Sequence, residues 1–303
     1  MGAPVPWVPA PVRYAVKHIT RYAYTAPVSQ SWQLARLTPR SLAWQRLVSH
    51  SLRIEPHADE RRDALDSFGN TVTHFALHGA HRVLTVRMEC VVEVGERPAV
   101  PVARVDEPGW QAVRDSLRHA LQHDDLAPAS LCEPTPLLPL SDAADAYARV
   151  SFAPGRSWFD AVHDLMRRIH ADFKFEPGAT TVNTSVDEVL EQRSGVCQDF
   201  AHLMLACLRS QGLPARYVSG YLLTEPPPGE PRLMGVDASH AWVAAHAPQH
   251  GWVEFDPTND QLADARYITL GWGADFADVA PLRGVFFGGG DQRLHVAVSV
   301  APL

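Results

Sequence analysis

The 303-residue chain carries 27 Lys and Arg against 34 Asp and Glu, a formal net charge of −7, and 46% of its residues are apolar. That balance excludes intrinsic disorder, which needs low hydrophobicity with high net charge. Its mild acidity argues against an electrostatic nucleic-acid binder, which presents a basic face.

Residues 1–11 are Pro-rich, read as a flexible leader, and lack the basic and apolar regions of a secretory signal. From 12 to about 100 the chain alternates apolar and polar positions, the two-residue period of half-buried strands. VRYAVKHITRYAY, LVSHSLRIEP, GNTVTHFALHG and HRVLTVRMECVVEV are such segments, separated by turns at FGN and HGAH. They predict an N-terminal antiparallel β-sandwich over 12–100. Residues 101–155 read as a linker and helical segment. WQAVRDSLRHALQH is an amphipathic helix, ASLCEPTPLLPLSD is irregular because of its prolines, and Ser141 N-caps a further helix. Residues 156–303 read as an α+β core. Trp158, Val162, Leu165, Met166 and Ile169 keep helical spacing, and Ser185 with Glu188 forms a capping box. A helix then runs from about Val196 to Gln211, stopped by Gly212 and Pro214. ARYVSGYLL, SHAWVAAHA and GWVEFD follow as strands, with a PPPGEP loop between the first two, and RLHVAVSVAPL is a last strand assigned to this core.

No apolar run approaches the ~20 residues of a membrane-spanning helix, so no membrane partner is expected. Four cysteines in a chain this long do not make a disulfide-stapled fold; reduced thiols and a cytoplasmic setting are expected. No His/Cys cluster has zinc-ligand spacing, and neither an EF-hand loop nor a P-loop occurs, so neither metal nor cofactor is expected.

The chemistry centres on Cys197. It falls in the first turn of its helix, where free N–H groups and the positive end of the macrodipole favour a thiolate. A lone cysteine is more often a small buried hydrophobe, as Cys207 is expected to be among Leu205, Ala206 and Leu208. The two cysteines are separated by ~15 Å of helix rise and cannot be bridged. A reactive thiol needs a base and a group that orients the base. His240 and Asp256 lie on one face of neighbouring strands. A hairpin symmetric about Pro248 sets them opposite each other, with Cβ atoms ~5 Å apart. A two-residue slip keeps the face but moves Asp256 opposite Trp242. Taken singly, His240 is a polar strand-edge residue and Asp256 a turn former before Pro257. With a helix-start cysteine they make a Cys–His–Asp set.

SVDEVLEQRSGVCQDFAHLMLACLRSQGLPARYVSGYL, followed by DASHAWVAAHAPQHGWVEFDPTN, resembles the transglutaminase-like superfamily. HITRYAYTAPV, RLTPR and DSFGN resemble the N-terminal β-domain of its bacterial members. The resemblance implies a papain-like core with the cysteine helix packed on an antiparallel sheet. It implies Cys197 as nucleophile, His240 as general base and acid, and Asp256 as orienter. It also implies an acyl-transfer enzyme working through a thioester on a peptide or protein amide. Hydrolysis is preferred; a transglutaminase joining Gln to amines and an inactive binding module are the alternatives, and a redox-sensing thiol is a third reading that lacks a resolving cysteine. In GWGADFADVAPLRG the family's Arg is replaced by Ala274 while Asp275 remains.

The Cys197 N–H is suited to an oxyanion hole, with Thr181 and Asn183 as candidates for the second donor. Asp199 could tune the thiolate, but an acid in a first helical turn is favoured by the dipole alone. Trp242 could wall an acyl slot, and is read as core. His202 points away from Cys197 and is read as packed or solvated. His246 is a weak substitute base, and Arg216 and Tyr217 are support residues by resemblance.

Overall fold

A computed structural model describes residues 11–98, 108–118, 128–223 and 239–303. Residues 1–10 of the leader, the 99–107 linker, residues 119–127 with the end of the predicted amphipathic helix, and the PPPGEP loop lie outside the described residues. The fold is α+β, with mostly antiparallel sheets. No described helix is long and apolar enough to cross a membrane.

The N-terminal segment supplies β1 (Val12–Ala35), β2 (Gln45–Glu55), β3 (Glu60–Leu65), β4 (Thr71–Leu77) and β5 (His81–Val94). The sandwich expected here takes the form of one seven-stranded sheet in the order β2-β5-β1-β4-β3, with two further strands on β1. The cause is the 24-residue β1, which serves both halves. It pairs with β5 up to Ala23, shifts register before Val28, and pairs with β4 from Ser31. Pro27, which has no N–H to give the ladder, sits in the break. β3 escaped the sequence reading because ERRDAL carries charge instead of alternation; it is an exposed edge strand.

Among the described residues, four α-helices lie between the N-terminal sheet and the cysteine helix: α1 (Trp110–Arg118), α2 (Asp142–Arg149), α3 (Trp158–Asp172) and α4 (Val186–Gln192). Ser141 caps α2 by accepting from the Ala144 N–H at 3.0 Å. The Ser185–Glu188 capping box of α4 is formed in both directions. A two-residue strand β6 (Lys174–Phe175) pairs in parallel with β7 (Ser194–Gly195) just ahead of α5 (Cys197–Ser210). α5 is buried nearly all round, which fits its apolar sequence. It packs on β9 (Ser239–Ala247) and β8 (Ala215–Leu222) within one core shared with α2, α3 and α4.

The core sheet runs β11-β10-β9-β8-β12, with β10 (Gly251–Asp256), β11 (Gln261–Leu262) and β12 (Tyr267–Gly273). β13 (Leu282–Gly288) and β14 (Gln292–Pro302) end the chain. RLHVAVSVAPL, expected with the core at 156–303, pairs instead with β1 from Tyr14 to Tyr24. Its alternation describes a half-buried strand but does not say in which sheet.

The two sheets are joined by side chains that imitate strand pairing. β12 is an edge strand of the core sheet. The buried Gln45 amide donates to the Thr269 carbonyl and accepts from its N–H, both at 2.8 Å. Asn70 does the same for Trp272, at 2.8 and 3.0 Å. An alternating ladder reinforces this edge: Arg216 lies between Trp252 (4.1 Å) and Trp272 (3.6 Å), and Arg40 covers the other face of Trp272 (3.7 Å). Tyr221, Ile268 and Leu270 of the core sheet enter the apolar core of the N-terminal sheet.

Candidate active site

The start of α5 is built by Asp199. Its Oδ2 accepts from the Val196 N–H at 2.7 Å and from Thr180 Oγ1 at 2.6 Å. That satisfies one of the donors a helix start leaves open. The carboxylate reaches it because residue 195 is glycine: a Cβ there would lie 2.8 Å from Asp199 Oδ2. Burial pushes the Asp199 carboxyl up, against the hydrogen bonds from Thr180 and Val196. Asp199 therefore fixes the helix start. Cys197 is the first residue of α5 and half-buried, with its N–H among those that have no intrahelical acceptor.

His240 is the second residue of β9. Its Nε2 donates to Asp256 Oδ2 at 2.7 Å, which leaves Nδ1 for the Cys197 thiol. The His240 side chain is 10% exposed and that of Asp256 fully buried. Burial works against charge on the imidazole. The hydrogen bonds to Asp256 and Cys197, with their negative charges, outweigh it and raise the His240 pKa to about 10. Asp256 is held below the usual carboxylate range although burial opposes this, because donors surround it. Oδ2 accepts from His240, from Asn259 Nδ2 at 2.6 Å and from the Tyr267 hydroxyl at 2.7 Å. Oδ1 accepts from the N–H groups of Thr258 (2.9 Å) and Asn259 (3.3 Å). One oxygen makes the turn before Pro257 and the other faces His240, so both readings of Asp256 hold at once.

The β9–β10 register is the slipped one. Phe255 pairs with Val243 and Gly251 with Ala247, so one further step sets Asp256 beside Trp242. The His240–Asp256 bond is diagonal, made possible by the shared face. Trp242 is fully buried, and its indole N–H donates to Glu254 at 2.9 Å. Its ring and that of Tyr267 lie 6.0 and 6.1 Å from the imidazole. Gly220, opposite His240 on β8, makes room for this indole, since a Cβ there would sit 2.6 Å from Trp242.

Thr181 lies in a local turn with Thr184, and Asn183 faces the cleft beside Val182 and Gln198. His202 is packed: it accepts from the Phe276 N–H, and burial lowers its pKa to about 4. His246 lies against Trp252 with its ring tilted, at the end of β9 away from His240. Arg216 belongs to the tryptophan ladder, and Tyr217 lines the cleft below Phe276. Ala274 donates its N–H to Asp278, and Asp275 accepts from the Ala277 N–H as a buried cap. Among the described residues no group of three or more His, Cys, Asp or Glu could hold a metal ion.

Sequence reasoning missed Asn259 and Tyr267. DPTN does carry the Asn three residues after the Asp, a turn spacing that could have identified it. It also missed the far wall of the cleft. The space around Cys197 and His240, about 650 Å³, is closed by His18, Thr20 and Tyr22 of β1 and by Leu294 and Val296 of β14. Thr20 pairs with Val296 and Tyr22 with Leu294, so all lie on one face of the N-terminal sheet. His18 ties the walls together through the Tyr221 hydroxyl at 2.8 Å.

A cysteine at a helix start, a histidine–aspartate pair on the facing sheet and a β-domain over the cleft are the arrangement of the transglutaminase-like superfamily. The chain belongs to this family of cysteine-dependent enzymes. Residues 14–93 match the bacterial transglutaminase-like N-terminal region, and residues 146–257 the transglutaminase-like superfamily. An uncharacterized protein of Mycobacterium tuberculosis is 42% identical over 302 residues, covering 96% of this chain and 93% of its own. A protein-glutamine gamma-glutamyltransferase of Pseudomonas aeruginosa is 38% identical over 97 residues, 31% of this chain and 14% of its own. The crystal structure of a candidate cysteine protease from Cytophaga hutchinsonii superposes with a TM-score of 0.76 at 19% identity, covering 98% of this chain and 92% of that one.

Proposed function

We propose that the chain is a cysteine acyl-transfer enzyme that hydrolyses a peptide or amide bond with Cys197, His240 and Asp256. The observation that carries this reading is the hydrogen-bonded line from buried Asp256 through His240 to Cys197. The Cys197 thiolate attacks the carbonyl carbon, and the oxyanion forms at the helix start, near the Cys197 N–H. His240, as imidazolium, gives its Nδ1 proton to the leaving nitrogen as the C–N bond breaks, which leaves a thioester and a neutral imidazole. The imidazole then takes a proton from water as the water oxygen attacks the thioester. Loss of the thiolate restores the starting pair. Asp256 keeps its charge throughout and holds the ring. Partial exposure of Cys197 gives water a route to the thioester.

The name of the Pseudomonas relative favours a second reading, in which an amine resolves the same thioester. Intact-mass analysis with activated acyl donors and short peptide amides separates the two. An acyl adduct on Cys197 that decays in water, with a little-changed rate when a primary amine is added, is expected. Faster decay with amine incorporation moves the assignment to transfer. A Cys197 that forms no adduct and alkylates like an ordinary thiol near pH ~8.5 overturns the enzyme reading in favour of a binding module.

A further inference from the structure

A second cavity, of about 820 Å³, lies on the side of the core sheet away from the cysteine helix. α5 packs in one core with Ala241, Val243 and Ala245 of β9, while Trp242 and Ala244 point the other way and join Val218 in a separate core. Arg216 of β8 and Glu254 of β10 both pair with Ala244, so they share that second face. Both line the cavity, together with Arg97, Trp44, Trp252 and Trp272.

The two arginines differ in what they bind. Arg97 is fully engaged: its Nε donates to Glu254 Oε2 at 3.1 Å, and its other nitrogens donate to the carbonyls of Asp264 and Tyr267. Arg216 is only 7% exposed. Among the described residues its guanidinium has neither a hydrogen-bond acceptor nor an ion pair, and its Nε is a buried donor without a partner. Trp252 and Trp272 cover its two faces, so its N–H groups, which lie in the guanidinium plane, spread out between the rings. Burial lowers its pKa to about 9, with Glu254 opposing, which leaves it charged near pH 7. A buried charge without hydrogen bonds is costly. The same lining holds an unmatched acceptor. Glu254 is 6% exposed; its Oε2 accepts from Arg97 and Trp242, while its Oε1 has no donor. The Trp44 indole N–H is likewise buried and without an acceptor.

Unmatched donors on a flat cation and an unmatched carboxylate oxygen in one cavity call for a ligand that carries both opposite groups. A carboxylate lies in the plane of the guanidinium fork and fits between the flanking rings. A tetrahedral phosphate does not share that plane, and it would bring further negative charge towards Glu254. The backbones that carry Arg216 and Glu254 are two strand spacings, ~10 Å, apart, a gap that two long side chains and one small molecule fill. Val253, Leu262 and Ala263 make the rest of the lining apolar, and the volume is that of a small-molecule pocket. We propose that this cavity binds a free amino acid with an apolar side chain, its carboxylate on Arg216 and its ammonium on Glu254 Oε1. The site stands apart from Cys197 and does not depend on the acyl-transfer reading.

Isothermal titration of the full chain with L-phenylalanine and L-leucine tests the proposal. The wild type is expected to bind at least one of them. Phenylalaninamide lacks the carboxylate and 3-phenylpropanoate lacks the ammonium; each is expected to bind about tenfold more weakly than phenylalanine, the scale of a lost charge-assisted hydrogen bond. Arg216→Lys keeps the charge without the fork and should weaken phenylalanine by a similar factor. Glu254→Gln keeps an acceptor for Trp242, and it should remove the preference for phenylalanine over 3-phenylpropanoate while leaving the preference over the amide. The ligand series on the wild type decides the matter even if either variant fails to fold, which circular dichroism would show. Cys197→Ser is expected to bind as the wild type does. A wild type that binds neither amino acid overturns the proposal, and so does binding that phenylalaninamide or 3-phenylpropanoate reproduces in full. Binding lost in Cys197→Ser places the ligand in the catalytic cleft and overturns it as well.

Discussion

Replacing Asp256 with Asn probes the electrostatics that would make Cys197 reactive. The Asp256 side chain is fully buried and binds His240 Nε2 at 2.7 Å. Burial alone would lower the imidazole, yet its pKa rises from 6.5 to about 10. At ~1.4 kcal/mol per pKa unit, that rise is worth ~5 kcal/mol of preference for the imidazolium, held jointly by Asp256 and the Cys197 thiolate. Giving Asp256 a little under half, ~2 kcal/mol, predicts a ~30-fold smaller equilibrium constant for the thiolate–imidazolium pair over its neutral form in Asp256→Asn, and a His240 pKa lower by ~1.5. The sign follows from the direction of the shift. A base whose folded pKa is raised keeps its favourable charge at low pH and loses it as pH rises through the folded value. The upper limb of the amide-hydrolysis profile should therefore fall from about 10 in the wild type toward ~8.5 in the variant. Asn preserves an oxygen for the Thr258 and Asn259 N–H groups, so the fold should survive, as circular dichroism and a thermal melt would verify. The assay is the rate of amide hydrolysis between about pH 5 and 11, with iodoacetamide labelling at Cys197 alongside. A folded Asp256→Asn protein whose upper limb stays at the wild-type position refutes the reasoning.

Two further predictions concern the scaffold. His18 and His202 are buried and held neutral, each with its pKa lowered by burial to about 4 from 6.5. The unfolded chain binds these protons more tightly, so stability is lost as pH falls through that window, by ~2 kcal/mol per histidine at pH 5. The melting temperature should drop on acidification, and the drop should shrink in His18→Gln and again in the double variant with His202→Gln; parallel slopes in all three proteins would contradict it. Gly195→Ala places a Cβ 2.8 Å from Asp199 Oδ2. Strain of this kind costs ~1–3 kcal/mol, and because it displaces the cap of α5, Cys197 labelling should slow more than the melting temperature falls. Labelling at the wild-type rate would show that the Asp199 contact does not control the thiol.

The parts of the site legible in the sequence are those fixed by local periodicity. The cysteine just after Gly195–Val196 falls in the first turn of its helix, and His240 with Asp256 share a sheet face in both the symmetric register and the one slipped by two residues. The register itself depended on the turn at 248–250, and the slip by two residues changed an opposed pair into a diagonal one without breaking the bond. Tyr267 was out of reach because it arrives from β12, a strand with no local link to β10. β14 was misassigned for a related reason. Alternation reports that one face is buried and is silent on which sheet buries it, and RLHVAVSVAPL is as suitable beside β1 as in the core. Gln45 and Asn70 read as ordinary polar residues, and only the exposed edge of β12 gives their amides a purpose.

That edge explains why the N-terminal sheet and the core act as one unit. β12 presents free N–H and C=O groups on its outer side, which would otherwise need another strand or water. Two amide side chains take that place at Thr269 and Trp272, and the Arg40–Trp272–Arg216–Trp252 ladder packs the same border. Side-chain amides fix position more sharply than an apolar contact, because each offers one donor and one acceptor at set angles. The consequence reaches the cleft: β8, which carries Tyr221 and pairs with the His240 strand, lies next to β12. The wall of His18, Thr20 and Tyr22 is thereby held at a fixed distance from Cys197, with the His18–Tyr221 hydrogen bond as its inner tie. The chemistry of the core and the surface that meets the substrate are thus positioned by polar contacts on opposite sides of the same strand pair.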